Sequence, residues 1–138
     1  MIVVDTSVWS LAFRRRARPS DEPKVVSLLR RMIKDDQPLA VPGIVFQELL
    51  TGVRDVSQAK KLQGILDGFP LLLATKGHHV EAAKISTACR KAGVSAATVV
   101  CLIAAQCVCS NSPLLTTDED FKQIARHAAL KLYPIPLG

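Results

Sequence analysis

Along the chain, apolar positions switch repeatedly between short continuous runs and helical spacing. Ile2-Val3-Val4 is a β-branched run with too few polar residues for a half-exposed strand, so it predicts a buried parallel strand ending at Asp5. Thr6 or Ser7 can cap a short helix that begins near Val8. Between Asp21 and Asp36, Val25, Leu28, Leu29, Met32 and Ile33 recur at helical spacing, while Lys24, Arg30, Arg31 and Lys34 take the other faces. That is an amphipathic helix, with Ser20 or Asp21 available as its cap. Leu39-Ala40-Val41 predicts a second strand, and after Pro42-Gly43 a helix carrying Glu48 runs to about Val53. A helix over Ser57 to Leu66, a strand at Leu71-Leu72-Leu73 and a helix from His79 to Lys91 follow, the last stopped by Gly93. A helix from about Ala96 to Cys109, a strand at Leu114-Leu115-Thr116 and a helix from Asp118 to His127 come next, and Lys131-Leu132-Tyr133 predicts an edge strand. Strands alternating with helices imply an α/β layer structure with a mainly parallel sheet, whose sites gather at the carboxyl ends of the strands.

Composition narrows this picture. With 138 residues, 49% hydrophobic and 22% charged, the chain suits a single domain over 1–138 with one aliphatic core. Aromatic residues are only 4%, which argues against binding single strands mainly by base stacking. The N-terminus lacks a signal-peptide pattern, and the apolar stretch from Val99 to Cys109 is too short to span a membrane, so the expected setting is cytoplasmic. Cys89, Cys101, Cys107 and Cys109 lack the paired spacing of a zinc site and read as reduced core residues, whereas His78, His79 and His127 read as surface positions. A net charge of +6 suits a polyanionic partner. Arg14, Arg15, Arg16 and Arg18 lie in an apparent loop closed by Pro19 and form the candidate backbone-binding element.

The candidate chemistry lies in a few acidic residues at element ends. Asp5 follows an apolar strand, where a turn or helix-cap role and a site role are both open. Glu48 lies in a stretch otherwise almost free of charge, so it must face a pocket or pair with a cation; burying it alone costs several kcal/mol. In Thr116-Thr117-Asp118-Glu119-Asp120-Phe121, threonine and acids make an ordinary helix start, but the strand end before them would bring Asp118 towards Asp5. Carboxylates gathered in this way suit a hard divalent cation that lowers the pKa of a water attacking a phosphodiester.

At these residues the chain resembles the PIN-domain ribonucleases, and within them the VapC toxins of toxin–antitoxin pairs. The resemblance rests on Ile2-Val3-Val4-Asp5-Thr6-Ser7-Val8-Trp9, on Gln47-Glu48-Leu49-Leu50-Thr51-Gly52, on Gly93-Val94 leading to Cys101-Leu102-Ile103-Ala104-Ala105, and on Leu114 to Phe121. It implies a PIN-like fold with a five-stranded, mainly parallel sheet flanked by helices. It also implies an endoribonuclease dependent on Mg²⁺ or Mn²⁺, with Asp5, Glu48 and Asp118 as metal ligands, Asp120 assisting, and the hydroxyls of Thr6 and Thr116 lining the site. The implied partners are a structured RNA such as tRNA or rRNA, a VapB-type antitoxin whose tail blocks the acidic pocket, and a second copy in a homodimer. One departure stands out: the family pattern has aspartate where this chain has Val100. Valine cannot bind a metal, so weaker metal binding and slower hydrolysis are expected. Compensation by Asp120 or Glu119, a degenerate member kept for binding, and an inactivating replacement are three explanations. The alternative function is therefore a non-catalytic protein that binds antitoxin and RNA. A DNA-directed nuclease is a weaker third reading.

Overall fold

In the computed structural model, which describes residues 1–14 and 16–137, four parallel strands form one sheet in the order β3-β2-β1-β4. The strands are β1 (Ile2–Val4), β2 (Leu39–Pro42), β3 (Leu71–Leu72) and β4 (Leu114–Leu115). Every residue of β1, β2 and β4 is buried, as continuous apolar runs require when helices cover both faces of a parallel sheet. From β1 the chain steps to β2 and β3 on one side, then crosses to β4 on the other. The order therefore reverses beside β1, and the crevice between the carboxyl ends of β1 and β4 is where such sheets place their ligands.

The fifth strand expected at Lys131-Leu132-Tyr133 is reduced to a single parallel bridge between Leu132 and Leu114. Leu114 N donates to Lys131 O and Tyr133 N donates to Leu114 O, and then Pro134 and Pro136, which lack an N–H, prevent the ladder from extending. The sheet therefore has four strands rather than five.

The helices are α1 (Thr6–Phe13), α2 (Lys24–Lys34), α3 (Gly43–Thr51), α4 (Val56–Leu66), α5 (Lys76–Lys91), α6 (Thr98–Cys109) and α7 (Asp120–Ala125), with a 3-10 turn at Pro19–Asp21. Their caps correct several expected boundaries. Asp5 takes the helix-cap role left open for it and caps α1 in place of Thr6 or Ser7. Pro23 precedes α2 without a side-chain cap, because Ser20 and Asp21 belong to the 3-10 turn. Helix α5 starts three residues earlier than the apolar pattern implies, because Thr75 and His78 close a capping box in which His78 Nδ1 accepts from Thr75 N. Helix α7 is shorter than expected at both ends.

Helix α6 packs at the centre of the fold and buries six of its residues, Gln106 among them. Gln106 Nε2 donates to Leu72 O at 3.0 Å and ties α6 to the end of β3, while its Oε1 has no partner among the described residues. Cys89, Cys101 and Cys107 are buried free thiols, as expected, but Cys109 is exposed on the opposite side of α6 from Cys107. No helix is long and apolar enough to cross a membrane among the described residues.

Candidate acidic site

Asp5 stands at the last turn of the β1 ladder, where its backbone N–H donates to Leu115 O at 3.0 Å and fixes it beside the end of β4. Its side chain is 4% exposed, so the carboxylate needs donors. Ser7 Oγ donates to Asp5 Oδ2 at 2.8 Å and Thr116 Oγ1 donates to the same oxygen at 2.9 Å, with Ser7 N more distant at 3.4 Å. Each hydroxyl has one proton, and both protons go to Asp5. The 3.3 Å approach of Ser7 Oγ to Thr116 Oγ1 is therefore a contact between two acceptors brought together by a shared carboxylate. All of these bonds fall on Oδ2, leaving Oδ1 free of a hydrogen bond among the described residues.

The same two hydroxyls organise the turn after β4. Thr116 Oγ1 accepts from Asp118 N at 3.0 Å, and Ser7 Oγ accepts from Thr117 N at 3.0 Å. Asp118 Oδ1 accepts from Asp120 N at 2.9 Å, which starts α7. Asp5, Thr116 and Asp118 are thus one connected network across the β1–β4 crevice. Ser7 belongs to it equally, although the sequence reading treated Ser7 only as a possible helix cap. The available signal was a strand-end aspartate followed by two hydroxyl residues.

Glu48 differs from expectation. It is exposed on α3, so no burial penalty forces it towards a cation, and its Oε1 accepts from Thr6 Oγ1 at 2.9 Å. This second pair joins the first network through the Asp5-Thr6 peptide. Asp120 is exposed, and only its backbone joins the network. Glu119 pairs with Lys122 at 3.1 Å on the surface.

Val100 is the third residue of α6, in its first turn, half-buried and packed against the core. Helix α6 also supports the site from below. Burial pushes the Cys107 thiol up to about 12, and the nearby Asp5 charge adds to the shift.

The basic loop is only partly available to a ligand. Arg16 donates to the carbonyls of Leu11 and Arg14 and so closes the C-terminus of α1. Arg14 is exposed and lines an open cleft of 270 Å³ with Ser10 and Glu48. Arg18 is exposed at the start of the 3-10 turn, and Arg15 lies outside the described residues.

In kind, the donors suit a hard divalent cation, being carboxylate and hydroxyl oxygens without sulfur or imidazole. In number they fall short: among the described residues, no group of three or more His, Cys, Asp or Glu side chains is placed to hold a metal. The network instead joins the Asp5 carboxylate to the Asp118 backbone through Thr116 and holds Glu48 to one side.

The PIN domain family model matches residues 2–127. No curated protein matches. Among solved structures, VapBC2 from Rickettsia felis, bound to a promoter DNA fragment, superposes with a TM-score of 0.77 at 20% identity, covering 96% of this chain and 98% of that one. FitAcB from Neisseria gonorrhoeae gives 0.77 at 21% identity, with 97% of each chain covered. VapC20 from Mycobacterium tuberculosis, a toxin that cleaves the sarcin-ricin loop, gives 0.64 at 17% identity, covering 88% of this chain and 93% of that one. At these identities the superpositions show a shared fold.

Proposed function

The chain belongs to the PIN domain family, and from that premise we propose that it is the toxin of a VapBC-type pair, an RNA-hydrolysing enzyme slowed by Val100. The observation that supports this reading best is Thr116, whose hydroxyl ties the Asp5 carboxylate to the backbone of Asp118 at the switch point of the sheet. The structural neighbours VapBC2 and VapC20, the latter a toxin that cleaves the sarcin-ricin loop, agree with it.

In this reading Asp5, through the oxygen its donors leave free, and Asp118 would hold Mg²⁺ or Mn²⁺, with Glu48 approaching from α3. The cation would supply an activated water and charge neutralisation at the phosphodiester. Ser7 and Thr116 keep the Asp5 carboxylate from turning, and so fix where its free oxygen points. Thr6 does the same for Glu48. Arg14 and Arg18 remain candidates for RNA contact, while Arg16 is engaged within α1.

A VapB-type partner would meet an apolar surface. Exposed Phe13, Ile33 and Ile65 surround a 140 Å³ depression between α1, α2 and α4, with Arg30 at its rim. Contiguous apolar surface of this kind is what a partner chain covers.

Cleavage of a labelled RNA with Mg²⁺, with Mn²⁺ and with EDTA, by the protein and by Val100→Asp, tests the reading. An acid at the third residue of α6 also suits the helix dipole, so the variant folds. Val100→Asp is expected to cleave at least about tenfold faster, roughly 1.4 kcal/mol of transition-state stabilisation, and only with metal. Equal rates would remove the impairment. Silence from both would remove the nuclease and leave the second reading that Val100 favours, a binder of antitoxin and RNA that does not cut.

A further inference from the structure

The outer face of α5 is left unused by the acidic site. Of the residues of this helix only Ile85 and Cys89 are buried, whereas the adjoining α6 buries six. Helix α5 is thus an outer layer, with one side on α6 and the other open. Lys84, Arg90 and Lys91 are exposed, Lys76 stands at the start of the helix, and Glu81 is the sole acid between Lys76 and Ala97. Four cations against one acid give this segment a net +3, half of the chain's +6. None of the four takes part in a salt bridge among the described residues.

This face is indented. A depression of 480 Å³ opens where α5 ends, lined by Ser86, Arg90, Gly93 and Ser95 among others. A second, of 390 Å³, shares the Ser86 and Arg90 wall. A third, of 520 Å³, includes Lys84, Thr87 and Lys91. Gly93 makes the sharp exit possible: its φ of +78° is one that side-chain-bearing residues rarely adopt, and it turns the chain into the loop that carries Ser95. Unpaired cations suit a run of phosphates, since they donate to phosphate oxygens without reading base identity; Ser95 adds a hydroxyl at the end of the helix, while the Thr87 hydroxyl is spent on Ala83 O. A chain with one Trp, one Tyr and four Phe lacks the aromatic platform that would grip bases instead.

We propose that the α5 face, from Lys84 to the depression at Arg90 and Ser95, is a docking surface for the sugar-phosphate backbone of RNA. The proposal rests on the ribonuclease reading above and assigns its substrate a grip outside the Arg14 to Arg18 loop. The loop that ends this surface leads into the first turn of α6, the turn that carries Val100, so RNA held there is delivered to the same helix end.

The test is binding of a fluorescein-labelled, mixed-sequence single-stranded RNA, followed by anisotropy in EDTA so that no cleavage intervenes, over roughly 50 to 200 mM salt. The variant Lys84→Gln/Arg90→Gln/Lys91→Gln is compared with the charge-matched Arg54→Gln/Lys60→Gln/Lys61→Gln. All six side chains are exposed, so both variants fold. Each lost phosphate contact flattens the slope of log K against log salt by about 0.7, so the α5 variant should lose about 2 and bind at least about tenfold more weakly at low salt. The control should keep most of the slope. If the unaltered protein binds with a steep slope and the α5 variant matches it, the docking surface is wrong while the ribonuclease reading stands. If the unaltered protein shows no salt-dependent binding, that reading fails and takes the surface with it. An unchanged slope with an altered sedimentation coefficient would show that a second copy covers α5, which also overturns the proposal.

Discussion

Replacing Thr116 with valine isolates what the hydroxyl bracing contributes, because the new side chain keeps the shape and loses only the oxygen's bonds. Thr116 is 9% exposed, and its Oγ1 both donates to the 4% exposed Asp5 carboxylate and accepts from Asp118 N. A hydrogen bond to a charged group contributes about 1.5–3 kcal/mol, and an orphaned, part-buried N–H adds about 0.5–1.5. Thr116→Val should therefore destabilise the protein by about 2–4 kcal/mol, a large share of the roughly 5–15 kcal/mol typical of a domain. Thr116→Ser is the control, since it keeps the oxygen and loses one methyl, worth about 0.8 kcal/mol. Urea unfolding followed by circular dichroism, with linear extrapolation, separates the two if the m-value stays constant. The reasoning fails if valine costs under about 1 kcal/mol, or if serine costs as much as valine; either result would mean that shape, not hydrogen bonding, holds the β1 and β4 ends together.

Two further predictions concern groups outside that network. Arg16→Ala should cost about 0.5–1.5 kcal/mol in the same urea assay, because its guanidinium closes α1, whereas exposed Arg18→Ala should cost nothing measurable; equal effects would show that the Arg16 contacts contribute nothing. The Cys107 thiol titrates at about 12 in the folded protein, against 9.0 for an ordinary cysteine. Above that ordinary value the unfolded chain releases a proton that the folded chain retains, so stability falls as pH rises, by up to about 1.4 kcal/mol per unit. The fall of the urea midpoint between about pH 8 and 10.5 should therefore be shallower in Cys107→Ala. Parallel curves would exclude Cys107 as the cause.

The sequence made the architecture legible where one physical signal dominates. Ile2-Val3-Val4 and Leu39-Ala40-Val41 are apolar on both faces, which only a covered parallel strand explains. Boundaries set by individual hydrogen bonds were harder to read. That Asp5, for which a cap role was open, takes the cap in place of Thr6 or Ser7 depends on its backbone angle, and the earlier start of α5 depends on His78 reaching back to Thr75 N. The edge at Leu132 depended on two prolines cutting short a strand whose apolar pattern looked adequate. In the site, Asp5, Thr116 and Asp118 were findable because each sits at a strand end. Glu48 is exposed, so its charge-free sequence surroundings do not signal burial, and Ser7 is hard to single out because a hydroxyl at a helix start has a commonplace explanation.

The arrangement of donors separates the assembly of the acidic crevice from any cation it would hold in the proposed reading. Mutual repulsion of carboxylates is a familiar reason for an acidic site to need its metal in order to fold, but here Asp5 is satisfied by two hydroxyls and Glu48 by a third. Because the bonds to Asp5 fall on a single oxygen, the brace stabilises the carboxylate and leaves Oδ1 free of a hydrogen bond among the described residues. Val100 then acts on one side of that division only. A half-buried valine adds apolar contact to α6 and removes a charge that the hydroxyls do not brace, so it favours the fold. In the proposed reading its cost falls on cation affinity and turnover alone, and the crevice and the basic face of α5 assemble whether or not the chain cuts.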